Sequence, residues 1–175
     1  MFGIENYLGF VLAAILLNLT PGSDSMYIIT RSISQGQTAG FYSVLGIISG
    51  ILIHTLLAAL GLSVLLANSP TAFMIVKYIG ASYLCYLGVK MLMSKQQPLL
   101  ASNLLDDEKK ATARQLDRWQ IYKQGMLTNT FNPKVALFFL AFFPQFIDPN
   151  YAHSTLSFLL LGLTFAVTGF IWCLC

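Results

Sequence analysis

The 175-residue chain is 56% hydrophobic and only 10% charged, with a mean hydropathy of +0.68. A soluble domain carries about 25% charged residues, so this composition excludes a disordered chain, a nucleic-acid-binding surface and an ordinary secreted globule. Of seventeen charged side chains, eleven lie between Lys90 and Lys123, so the formal charge of +3 belongs to one loop and reports membrane orientation.

A membrane-crossing helix needs about 20 predominantly apolar residues. Five segments meet that need, at about 7–31, 39–66, 71–93, 122–144 and 154–175. The first is a retained span rather than a signal peptide, because it lacks a basic leader and Leu8 to Leu19 runs straight into Thr20-Pro21-Gly22. That triplet interrupts the span, and Asn132-Pro133 interrupts the fourth; Asn68-Ser69-Pro70 separates the second from the third. The expected fold is therefore all-α, a polytopic helical membrane protein.

The polar stretch 94–121 and its flanks hold seven Lys and Arg and are assigned to the cytoplasm. Counting spans backwards places the 68–70 turn outside, the 31–40 loop with Arg31 inside, and the amino terminus outside. The chain divides into a first three-helix transmembrane repeat (1–93), a basic cytoplasmic linker (94–121) and a second transmembrane repeat (122–175). An offset of 112 residues brings Pro21 onto Pro133 and Gly50 onto Gly162. Three spans cross an odd number of times, so the second repeat is inverted relative to the first, as in many secondary transporters. This inverted 3+3 repeat, broken by proline in helices 1 and 4, lacks its last helix, which the same offset would end at about residue 205.

The breaks hold the candidate chemistry. Pro21 removes a backbone donor and, with Gly22, frees polar backbone at membrane depth, which must be buried in protein or line a wet cavity. Re-satisfaction of a plain kink by Ser and Thr side chains is the alternative. Asp24 is the one acidic residue inside a span, so it is either a binding or proton-carrying carboxylate or the N-terminal cap of its half-helix. Asn129 and Asn132 are three apart and read as one helical face offering donors and acceptors to a zwitterion. Lys134 stands beside Pro133, about 16 Å in from Lys123; it pairs with a solute carboxylate, pairs with Asp24, or snorkels. His54 follows Gly46 and Gly50 on the small-residue face, as a helix–helix hydrogen-bonding group or a proton-coupling site. His153 falls in an outer loop. Cys85, Cys173 and Cys175 lie in apolar runs without metal-ligand spacing and read as packing residues. There is no nucleophile elbow, phosphate-binding loop or cluster of metal ligands, which argues against an enzyme, a metal or a cofactor.

Taken together, Leu19-Thr20-Pro21-Gly22-Ser23, the glycines 36, 40, 46 and 50, the run Gly80 to Gly88, and Gly125-x-x-x-Asn129-x-x-Asn132-Pro133-Lys134 with Phe138-Phe139 and Phe143-Pro144-Gln145-Phe146 resemble the LysE/RhtB family of amino-acid exporters. Ser23 stands where that family often has a second proline. The resemblance implies six spans and export of amino acids or close analogues from the bacterial cytoplasm, driven by the proton-motive force. It implies a multi-pass protein of the inner membrane whose partners are an amino-acid substrate and the lipid bilayer; the sequence leaves a homo-oligomer open. Thr20, Pro21, Gly22, Asp24, Asn129, Asn132, Pro133 and Lys134 would bind the solute, with Asp24 or His54 coupling it to protons. The rival expectation is a truncated, inactive or partner-dependent membrane protein of the same fold, or an exporter of another small solute.

Overall fold

Leu8, Leu12 and Leu16 recur every four residues, and all three are exposed, while Phe10 and Ala14 on the opposite side of the same turns are fully buried. That division fits a helix with one face to lipid and one to protein. It defines α1, Tyr7–Leu19, in a computed structural model that describes residues 3–20, 22–62, 68–69, 71, 74–75, 78–82, 85–86, 89, 117–148 and 154–174. Asn6 starts α1 by accepting a hydrogen bond from the Gly9 amide at 3.3 Å. After the interruption at Thr20–Gly22, α2 runs from Ser23 to Gln35, bent by 51° from α1.

The expected 31–40 loop is a correction. Helix α2 continues to Gln35, and α3 (Gln37–Leu57) begins after a single joint residue, Gly36, whose φ of 86° lies in the left-handed region open to glycine. Arg31 is consequently not a solvated loop charge: it is buried in α2 at 3% exposure. Helix α3 runs on through a π-helical turn, Ala58–Leu62, to make one 26-residue apolar element.

Helix α4 spans Arg118–Thr130, so the last residues assigned to the linker are already helical. Asn132 then caps α5, Pro133–Ala141, whose first residue is the proline that needs no helical donor there. A 3₁₀ turn at Phe143–Phe146 follows, and α6 occupies Ser154–Leu174. By length and composition Gln37–Leu62 and Thr155–Cys173 are each able to cross a membrane, as is the bent α1–α2 pair taken as one span. Of the expected third span, 78–82 is helical and Gly80 lies against Ala141 of α5; most of that span and of the linker, with Pro21, His153 and Cys175, lies outside the described residues.

Helix α3 is the centre of the bundle, touching α2, α4, α5 and α6. Its closest neighbour is α4, and small residues allow the approach. A Cβ on Gly46 would collide with the Tyr122 carbonyl, and one on Gly50 would lie 2.7 Å from Asn129 Oδ1. The α3–α4 seam is also polar: Tyr122 donates from its hydroxyl to Ser49 Oγ at 2.8 Å. A second core is aromatic. Phe10 of α1 meets Phe143 edge-on at 5.1 Å, and Phe138 of α5 meets Phe165 of α6 at 5.1 Å, joining three helices through ring contacts. Glu5 donates its amide to the Phe146 carbonyl at 2.8 Å and Asp148 donates to Gly3 at 2.9 Å, so the amino-terminal segment and the turn after α5 lie on the same side.

Candidate functional site

The interruption after α1 leaves the last carbonyls of that helix without helical donors. Thr20 answers in part, through its amide and through a hydroxyl bond to the Leu16 carbonyl at 2.9 Å. The rest comes from another part of the chain. Lys134 Nζ donates to the Leu17 carbonyl at 2.9 Å and to the Thr20 carbonyl at 2.7 Å, placing a cation at the negative end of the α1 dipole. Gly22 lies beside this ammonium, and a Cβ there would be in ordinary contact with Nζ at 3.5 Å.

Asp24 sits in the first turn of α2, where the dipole favours a carboxylate. Its side chain faces the second break. Asn129 Nδ2 donates to Asp24 Oδ2 at 2.8 Å, and Asn132 Nδ2 donates to Asp24 Oδ1 at 3.1 Å. Hydrogen bonds to a carboxylate are stronger than neutral ones, so these two tie the breaks together. The Ser23 hydroxyl adds a contact at 3.3 Å. Asn132 does two jobs, because its Oδ1 accepts from the Lys134 amide at 3.0 Å as the cap of α5.

The sequence reading placed Asn129 and Asn132 on one helical face. In the structure they belong to different elements, the end of α4 and the cap of α5, and reach Asp24 from either side of the break. His54 Nε2 lies 3.2 Å from the Asn129 carbonyl and its ring stacks on Phe139 at 5.5 Å, so it contacts Asp24 only through Asn129. Pro133, exposed at the start of α5, shapes the break without facing Asp24.

Thr20, Gly22, Asp24, Asn129, Asn132 and Lys134 line one chamber of about 40 Å³, whose apolar walls are Ile47, Ile51, Val135 and Phe165. That volume suits water-sized groups rather than a whole amino acid. Helix α6 completes the wall with Gly169, Trp172 and Cys173; Cys173 thus borders the site instead of merely packing. Among the described residues no group of three His, Cys, Asp or Glu is placed to hold a metal.

Two polar features escaped the sequence reading. Asn18 lines the same chamber, and a lone amide near the end of an apolar helix was the available signal. Arg31 donates to Gln124 Oε1 at 2.8 Å and lies 5.6 Å from the Tyr27 ring, while Tyr27 donates to the Ile121 carbonyl at 2.8 Å. These contacts pin α2 to α4 beside the site.

An all-helical polytopic membrane protein in which two broken helices face each other with opposite charges has the architecture of secondary transporters. Residues 15–175 match the family of LysE type translocators, and the chain belongs to that family. It is 37% identical to an uncharacterized membrane protein of Pseudomonas aeruginosa over 161 residues, 92% of this chain and 73% of that protein. It is 32% identical to a leucine efflux protein of Salmonella typhimurium over 169 residues, 97% of this chain and 76% of that protein. An uncharacterized membrane protein of Vibrio cholerae is 34% identical, over 92% of this chain and 74% of its own length. No solved structure matches the chain.

Proposed function

We propose that the protein exports amino acids across the bacterial inner membrane, with leucine and similar apolar amino acids as substrates. The observation that carries this reading is that a carboxylate from one break and an ammonium from the other line one chamber, each held by other groups. A zwitterion offers the complementary pair: its ammonium goes to Asp24, its carboxylate to Lys134, with Thr20, Asn129 and Asn132 supplying hydrogen bonds. Pro21, Gly22 and Pro133 act by holding the helices open. The aliphatic and aromatic walls suit an apolar side chain, and the leucine efflux protein of Salmonella typhimurium supports the choice.

Export is coupled to protons in this reading because solute and proton compete for one group. A proton on Asp24 removes the charge that holds the solute ammonium, so proton entry from outside favours solute release. His54 is the second candidate for the coupling: it bonds the carbonyl of Asn129, whose side-chain amide holds Asp24, and acts on that carboxylate through the position of Asn129 rather than by passing a proton. The amino terminus faces outside, with the 94–121 linker in the cytoplasm. Cells loaded with a leucine-containing dipeptide test the reading. Expression of the protein is expected to restore growth and leucine efflux, and collapse of the pH gradient to abolish both. D24N or N132A variants that rescue as well as the wild type overturn the site.

A further inference from the structure

The polar groups around the chamber are mostly engaged with one another. Both Asp24 oxygens accept amide hydrogens, and Lys134 donates to two carbonyls. Two buried side-chain atoms of the lining have no hydrogen-bond partner among the described residues: the acceptor Asn129 Oδ1, whose own Nδ2 is engaged with Asp24, and the donor Asn18 Nδ2. A buried amide without a partner is costly, by an amount comparable to a lost hydrogen bond. Gly169 of α6 stands opposite, and a Cβ there would fit in ordinary contact, 3.5 Å from Ile51 Cδ1 and 3.7 Å from Asn18 Oδ1, so the glycine leaves a methyl-sized gap beside the amide.

We infer that Asn18 is a solute-binding residue whose amide donates to the carboxylate of the transported amino acid. This rests on the export reading and adds a direction to it. Asn18 belongs to α1, and the carbonyls that anchor Lys134 are those of Leu17 in the same helix and of its C-cap, Thr20. The two donors therefore mark a carboxylate end of the chamber at α1 and α6. Asp24, held by Asn129 and Asn132, marks an ammonium end at the α4–α5 break. A primary α-amino acid spans the two; its amide keeps the ammonium but offers the other end only a neutral carbonyl, a weaker acceptor than a carboxylate.

The test is binding of leucine and of leucinamide to the purified full chain, wild type against N18L. The wild type is expected to prefer leucine. N18L is expected to lose about tenfold or more in leucine affinity, the worth of a hydrogen bond to a charged group, while leucinamide affinity changes by less than about threefold. Equal weakening of both ligands, or of neither, overturns the inference and leaves the export reading intact. A wild type that binds no leucine sinks the export reading, and this assignment with it. Should N18L fail to fold, N18S supplies the same comparison; failure of both to fold makes Asn18 a packing residue and also overturns it.

Discussion

The two breaks are built alike and equipped differently. At the first, Gly22 caps α2 without a side-chain hydrogen bond, and the chain contributes an anion, Asp24. At the second, Asn132 caps α5 with its own side chain, and the chain contributes amides and a cation, Lys134. Each break satisfies what the other leaves open. The carbonyl end of α1 is closed by Lys134, and the Asp24 carboxylate is held by Asn129 and Asn132. Interrupted helices are tolerated at membrane depth only when such partners exist. The difference between the breaks is therefore what keeps both in place, and the same groups line the chamber.

Removing one side of the pairing breaks it most severely. D24N keeps the shape of the side chain, but one of its two polar ends becomes a donor facing another donor, and the charge for a solute ammonium is gone. Leucine export in proteoliposomes is expected to fall at least about 100-fold, as for loss of a charge-assisted contact together with a buried mispairing. K134M leaves the Leu17 and Thr20 carbonyls without the ammonium, and export is expected to fall about 10–100-fold. Because the two groups belong to one network, the D24N/K134M double variant is expected to lose less than the product of the single losses; a fully multiplicative loss means that the breaks act independently.

Smaller changes sharpen the comparison. N132A removes one of two donors to Asp24 and the cap of α5, and about a tenfold loss of export is expected, with about 1 kcal/mol of stability lost with the cap. H54F retains the ring stack on Phe139 and loses the bond to the Asn129 carbonyl. Thermal melting is expected to report about 1 kcal/mol or less, whereas the dependence of export on the pH gradient should flatten. A gradient dependence equal to wild type removes His54 from the coupling.

Much of this was legible in the sequence because prolines and isolated charges are loud signals in apolar runs. Pro133 after Asn132 marked the second break, and Asp24 and Lys134 stood out as intramembrane charges. What periodicity could not supply was geometry across a break. Asn129 and Asn132 look like one helical face at a spacing of three, but the proline that begins α5 ends that register, and they converge on Asp24 as parts of two elements. Charge counting assigns basic residues such as Arg31 to a loop at the membrane edge. The burial of Arg31 depends on Tyr27 and Gln124, a partnership between residues more than 90 positions apart. Asn18 is a weak signal for a physical reason as well: a single amide carries no charge, and an apolar helix of thirteen residues absorbs it without changing pattern.

The central claim, that the two breaks form one solute site, is tested most directly by equilibrium binding of labelled leucine to the purified protein. Binding by the wild type is expected to be saturable, weakened at least about 30-fold by D24N and at least about 10-fold by K134M. Leucine binding that is unchanged in both variants would contradict that claim.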